Sequence, residues 1–396
     1  MTAATPDDNH FDVAVLGGGI VGVSAALRCV QAGAKVVLVD AGLEGKASAA
    51  GAGIVSPVGL GGNEARREWS ALVASAISHY ARILALLGDA GVTDVGFDKV
   101  GEIVLATREA DLPRLAELHE RLKLFAEAGI PVGDVRRIGG DGLQAAWPEF
   151  RGDIEGLYIE NIARMDGRRM CAAIGRLAES LGARIVSGRG DIRLDGGRSV
   201  SLSVDGNPLK ADKVVLATGS WSQPLLDLLG ARMSVQPVRG QIVHLELADR
   251  TTGTRPVINT FEGHYFLGFP DGRVVVGGTH EPEAGFEARI TAGGVHSVLD
   301  KTLRIAPGLG AALHLETRVG LRPRSRDGYP IVGRPHRTDN VVVATGLGAW
   351  GLTLGPMIGE IAAEQALGLT PTYDAGFLGP DREDITEAAV LSPNIQ

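Results

Sequence analysis

Cysteine is scarce in this chain. Cys29 and Cys171 are the two present, far apart and in no C-x-x-C spacing, which excludes a disulfide framework, a thiolate metal site and a redox dithiol, so no metal is expected. Positive charge is not in excess: 39 Lys and Arg against 47 Asp and Glu leave a net charge of −8. With no basic patch interleaved with aromatics, nucleic acid is not expected as a partner. No run of 18 uninterrupted apolar residues exists, and the opening "MTAATPDDNH" lacks the basic-then-apolar order of a leader. A cytoplasmic protein is expected, with peripheral membrane contact and homo-oligomerisation left open.

What is abundant is glycine, 56 of 396 residues, and it recurs at the ends of apolar runs instead of forming a low-complexity tract. That pattern suits an α/β fold with many tight turns. The clearest case is "VAVLGGGIVGVSAALRCVQAGAKVVLVD", residues 13 to 40. It predicts a strand over 11–16, a glycine turn, a helix from Ile20 and a second strand over 35–39 ending in an acid. Gly17, Gly19 and Gly22 have G-x-G-x-x-G spacing, and Asp40 follows Gly22 by 18 residues, the fingerprint of a dinucleotide site. The first glycine makes the turn and the second lets backbone approach a pyrophosphate. The third lets the helix pack on the strand, so that the first turn, with Ile20 and Val21, faces the phosphates. Asp40 and its neighbour Ala41 would meet the ribose.

Further along, "KASAAGAGIVSPVG" (46 to 59) is small-residue throughout, too rich in glycine for a regular helix and too apolar for an ordinary solvent loop. It reads as backbone crowded onto a ligand or, alternatively, as a flexible linker. Helices are expected over 64–90, 109–128 and 167–181, a strand over 101–107 and a turn-rich connection at "GLQAAWPEF". Two later segments repeat the strand-then-Thr-Gly grammar, "DKVVLATGSWS" and "NVVVATGLGAWGLTLGPMIGEIAAEQALG". Each places a glycine turn at the carboxyl end of a strand, where open α/β sheets bind ligands. The expected fold class is therefore α/β: a Rossmann-like nucleotide domain, visited at 11–85, 151–222 and 323–372, plus a mainly antiparallel-sheet domain built from insertions at 86–150 and 223–322. Tails are expected at 1–10 and 373–396.

These stretches, with "PVRGQ", "GRVVVGGT" and "GLRPRSRDGYPIVG", stand in an order that resembles the FAD-dependent D-amino acid oxidase superfamily, particularly its glycine oxidase and bacterial D-amino acid dehydrogenase branch. The resemblance covers nearly the whole chain and implies FAD. The absence of a second G-x-G-x-x-G unit and of a close cysteine pair agrees with this. It further implies that Ser48, Ala49, Ala50, Gly53 and Ile54 line the flavin, and that Thr218, Gly219 and Trp221 contact the cofactor. The turn of Gly346, Gly348, Ala349, Trp350, Gly351 and Leu352 would wrap the isoalloxazine and ribityl oxygens, with the helix from Thr353 aimed at flavin N1. No cysteine lies between 340 and 360, where sarcosine-oxidase-like relatives attach their flavin, so the FAD should be non-covalent.

The substrate side is carried by "ETRVGLRPRSRDG" (316 to 328). If extended, as Pro323 encourages, Arg318, Arg322, Arg324 and Arg326 share one face. Arg322 is the one that the resemblance assigns to a substrate carboxylate, and it is counted with the cofactor shell as well. Solvation, or pairing with Asp327 and Glu316, is the plainer expectation for Arg324 and Arg326. Tyr265 resembles the family's pocket tyrosine, with His264 on the other side of its strand. Arg239 and Gln241 match a motif near the domain junction without an assigned role. The implied reaction is oxidation of the Cα–N bond of a D-amino acid, glycine or N-substituted amino acid by hydride transfer to flavin N5. The imine formed would hydrolyse to a 2-oxo acid, and oxygen, a quinone or a dye would reoxidise the flavin. A 2-hydroxy acid dehydrogenase is the alternative, since the same arginine would serve a hydroxy acid. A flavin-binding RNA-modifying protein is a third reading, disfavoured by the acidic balance. The family more often has Glu at position 40 and Pro at position 167, so Asp40 has the shorter reach toward the ribose.

Overall fold

The computed structural model describes residues 10–58 and 67–384. Gly59, the expected helix start at 64–66, residues 1–9 of the first expected tail and 385–396 of the second lie outside them. The opening motif folds as read: strand His10–Leu16, helix Ile20–Gln31, strand Val36–Asp40. The apolar alternation of the opening strand is used on both sides. Val13 and Val15 belong to one buried cluster, and Ala14 and Leu16 to another across the sheet, as a parallel strand covered on both faces requires.

Around this strand lies a sheet of eight strands in which Val36–Asp40 and Asn207–Leu216 flank it in parallel register, and Val341–Thr345 pairs in parallel with Asn207–Leu216. The three separated strand-then-glycine segments therefore do meet on one sheet, and their carboxyl ends form one rim. A second sheet of eight strands is mostly antiparallel, with Val235–Glu246 paired along nearly its whole length to Leu313–Ser325. The α/β class with a second, mainly antiparallel sheet stands as expected. The boundaries need correction. Strand Glu155–Ile159, placed on the nucleotide side by a division at 150/151, pairs with Glu102–Ala106 in the second sheet. A division at 322/323 would cut through Leu313–Ser325. Leu226, Leu229 and Met233 pack with the nucleotide sheet, not with the second.

The stretch expected as turns, "GLQAAWPEF", contains a short helix, Gly140–Ala146. Pro148 stops it by forcing Trp147 into extended backbone (φ −140°, ψ 91°). Helix Arg67–Asp89 is apolar enough to cross a membrane by length and hydropathy, 1.5 over its best window. Here Trp69, Val73, Ala76, Tyr80, Ile83 and Leu87 are all buried in the core instead.

The closing helix, Gly351–Ala366, carries Pro356 in its second turn. Proline has no N–H, so the carbonyl of Leu352 loses its ordinary helical partner. The Tyr80 hydroxyl, 1% exposed, donates to that carbonyl instead. Tyr80→Phe is expected to leave a buried acceptor unsatisfied and to cost about 1–3 kcal/mol, read as a lowered Tm. An unchanged Tm would show that the carbonyl is satisfied without Tyr80.

Candidate active site

The three glycines of the opening turn do three different things. Gly17 has φ +108°, and a Cβ there would meet the Ala217 carbonyl oxygen at 2.3 Å; it makes the turn. A Cβ on Gly22 would lie 1.7 Å from the Gly17 carbonyl oxygen, so its bareness serves helix-on-strand packing, and it does not face the cavity. Gly19, at ordinary extended backbone (φ −77°, ψ 179°), caps the opening helix without a side chain, and a Cβ there would meet only Ser48 Oγ at 3.3 Å. It presents bare backbone to a cavity of about 1260 Å³ that runs along the strand rim to the second sheet.

That cavity gathers the other cofactor candidates. Ile20, Val21, Asp40, Ala41, Ser48, Ala50, Gly53, Ile54, Thr218, Gly219, Trp221, Gly348, Ala349, Trp350, Gly351, Leu352 and Thr353 all line it. Two candidates do not. Ala49 turns away, its carbonyl accepting from Arg168 Nε at 3.0 Å, because 47–50 winds into one helical turn where irregular backbone was expected. Gly346 shapes the turn behind the wall: at φ +74°, a Cβ there would press on Ser325 and Ile331. Ser48 Oγ accepts from the Ile20 amide at 3.1 Å, and Asp40 forms an ion pair with Lys46. The closing helix starts at Gly351, two residues before Thr353, and has no side-chain cap on its first turn.

FAD fits this wall by an independent criterion. A Cβ on Gly219, Gly348 or Gly351 would meet nothing within 4 Å, so bare backbone from two distant segments faces open space, as a flat, phosphate-bearing ligand requires. Two helix N-termini whose own cap residues, Gly19 and Trp350, make no side-chain hydrogen bond point their positive ends at it.

The substrate end lies on the second sheet. Arg322 stands on strand Leu313–Ser325, and its Nη1 donates to the Thr279 carbonyl at 3.0 Å. Gly240, on the neighbouring strand, makes room for it: a Cβ there would overlap the guanidinium at 2.2 Å. Its backbone is fixed from the nucleotide side, where the Leu321 amide donates to the Gly45 carbonyl at 2.8 Å and Ser220 Oγ donates to the Leu321 carbonyl at 2.7 Å. Tyr265 lines the cavity beside Arg322. Burial raises its phenol above the usual value, and the Arg322 guanidinium opposes that rise. His264 points the other way, its Nε2 3.0 Å from Thr302 Oγ1, and burial holds it down at about 3.

Arg239 and Gln241 now have a role. Arg239 pairs with Glu281, which also accepts from Gln241 Nε2 at 2.7 Å, while Gln241 Oε1 accepts from the Thr291 amide at 3.0 Å. Together they fix the 279–294 segment over the cavity. Of the expected arginine face, Arg318 pairs with Glu316 at 2.7 Å and Arg326 with Asp384 at 2.7 Å. Asp327 is held by Arg382, so Arg324 does not pair with it and faces the cavity instead. His280 is a lining residue that sequence reasoning missed; its Nε2 is buried without a hydrogen bond among the described residues. The signal was its place just past the apolar run "GRVVVGGT".

A family model described as DAO, FAD dependent oxidoreductase, matches residues 12–365. This chain belongs to that family. It is 34% identical to the uncharacterized oxidoreductase YurR of Bacillus subtilis (strain 168), over 92% of this chain and 98% of that one. It is 28% identical to glycine oxidase of Geobacillus kaustophilus (strain HTA426), over 90% and 93%. The crystal structure of iminodiacetate oxidase (IdaA) from Chelativorans sp. BNC1 matches with a TM-score of 0.87 at 36% identity, covering 94% of this chain and 100% of that one. The family resemblance drawn from the motifs is borne out, and with it FAD as the cofactor: the chain is an FAD-dependent oxidoreductase.

Proposed function

We propose that the protein oxidises the Cα–N bond of a small amino acid, a D-amino acid, glycine or an N-substituted amino acid, with Arg322 holding the substrate carboxylate and Tyr265 assisting it. One observation carries this reading. Arg322 is half-buried on the cavity wall, anchored through one nitrogen to a carbonyl, and has no carboxylate partner among the described residues. Its remaining N–H groups suit a bidentate hold on a carboxylate. FAD, when bound, supplies the two-electron acceptor chemistry. The residues of the glycine turn and of 348–353 would hold it, with Ser48 fixing the first helical amide.

What the chain itself does is orient and exclude water. The four carboxylates on the cavity wall are all paired: Asp40 with Lys46, Asp191 with Arg189, Glu262 with Arg108 and Glu281 with Arg239. Each wall carboxylate thus has a cation partner, which agrees with a substrate that binds with its amine already neutral. The imine then leaves to water, giving a 2-oxo acid and ammonia, or an amine where nitrogen is substituted. The test is product analysis with amino acids and their 2-hydroxy analogues: a 2-oxo acid and ammonia or amine from the amino acid supports the reading, and turnover of the hydroxy acids alone replaces it. The FAD is expected to be non-covalent, since neither Cys29 nor Cys171 lines the cavity. Acid precipitation should leave yellow supernatant over a colourless pellet, and flavin in the pellet would contradict this.

A further inference from the structure

Once the four wall carboxylates are paired with their cations, Arg322 is not the sole positive charge left over. Arg324 also lines the cavity and forms no ion pair among the described residues. Both stand on the straight part of strand Leu313–Ser325, two residues apart, so their side chains leave the same face of the sheet with roots about 6.6 Å apart. Arginine side chains are long enough to bring both guanidinium groups onto the two carboxylates of one small diacid. The backbone at Arg324 is bridged to Leu347, in the turn before Gly348, while Arg322 is anchored on Thr279. The Arg322 guanidinium is thus held from the 279 segment, and the Arg324 backbone from the turn before Gly348. His280 stands next to both: after burial, the charges of Arg322 and Arg324 are what hold its ring down at about 4. It stays neutral and presents a buried Nε2 that no group among the described residues satisfies.

A substrate with one carboxylate would satisfy Arg322 and leave Arg324 a half-buried cation without a counter-charge, which is unfavourable. We propose that the substrate carries a second carboxylate, taken by Arg324 with His280 beside it, so that the enzyme selects small amino or imino diacids. This rests on the amino acid oxidation proposed above. The second carboxylate can sit on the nitrogen substituent or on the side chain, and the chemistry at Arg324 is the same for both.

The experiment uses the purified holoenzyme. It compares kcat/KM for N-(carboxymethyl)glycine against N-methylglycine, and for D-aspartate against D-alanine; whichever pair shows the larger diacid preference locates the second carboxylate. The wild type is expected to favour a diacid at least tenfold. Arg324→Leu should lower that ratio at least tenfold with the bound FAD fraction unchanged, and Arg324→Lys should restore part of it. Binding of thiodiglycolate against (methylthio)acetate, neither of which has a C–N bond, is read in parallel from perturbation of the flavin spectrum. Tighter binding of thiodiglycolate that depends on Arg324 supports the second site even if no amino acid is oxidised, which separates its success from failure of the oxidation reading. No diacid preference in turnover or in binding overturns the proposal. So does an Arg324→Leu variant that loses FAD while the ratio stays put, which would assign Arg324 to the cofactor.

Discussion

Arg322→Ala is expected to leave FAD bound while lowering kcat/KM about a hundredfold or more. A charge-assisted pair to a carboxylate contributes about 1.5–3 kcal/mol, and more where water is excluded and the partner has no second anchor. The loss should fall on both kcat and KM, because the same contact that binds the acid also fixes its Cα against the flavin. Arg322→Lys should rescue only partly, since Lys keeps the charge and loses the two-pronged geometry. The sharpest readout is discrimination between an amino acid and its decarboxylated amine, which the variant should largely lose. Arg239 cannot take over, because it is already committed to Glu281. Unchanged discrimination with intact flavin would move the primary anion site to Arg324.

Gly19→Val is expected to yield a folded protein with almost no flavin. The prediction separates ligand clearance from packing within one motif. At Gly19 the backbone lies at φ −77°, open to any residue, and a Cβ has only Ser48 Oγ within reach, at 3.3 Å. The valine methyls must then occupy the space where the phosphates approach the helix N-terminus. Gly22→Val would instead drive a Cβ to 1.7 Å from the Gly17 carbonyl oxygen and should damage the fold itself. Flavin per chain after purification, with Tm set against wild-type apoprotein, checks the first. Near-stoichiometric flavin in Gly19→Val would show that this turn is only packing.

Much of the nucleotide side was legible because its signals are local. The G-x-G-x-x-G spacing, the apolar strands and the Thr-Gly turns each fix their own backbone, and a parallel sheet brings their ends to one rim. What was not legible depends on contacts between distant segments. Nothing near 155–159 says that this strand joins Glu102–Ala106, and nothing near Tyr80 says that it will replace the N–H missing at Pro356. The "KASAA" turn misled because its glycines, at 51 and 53, follow the alanines instead of interrupting them, and alanine winds readily into the single turn Ala47–Ala50. That turn is what points Ala49 away from the cavity. At the substrate end, alternation placed Arg324 on the right face, but its nearest acid in sequence, Asp327, belongs to Arg382, which is far along the chain. Sequence proximity therefore suggested a pairing that the fold does not make.

The central claim is that this cavity holds FAD against the Cα–N bond of an amino acid whose carboxylate Arg322 reads. Anaerobic mixing of the purified yellow protein with a matched set tests it most directly: an amino acid, its decarboxylated amine and the corresponding 2-hydroxy acid. Rapid bleaching of the oxidised flavin by the amino acid, with the amine and the hydroxy acid far slower, is the predicted result. Bleaching by the hydroxy acid alone, or equally by the amine, would contradict it.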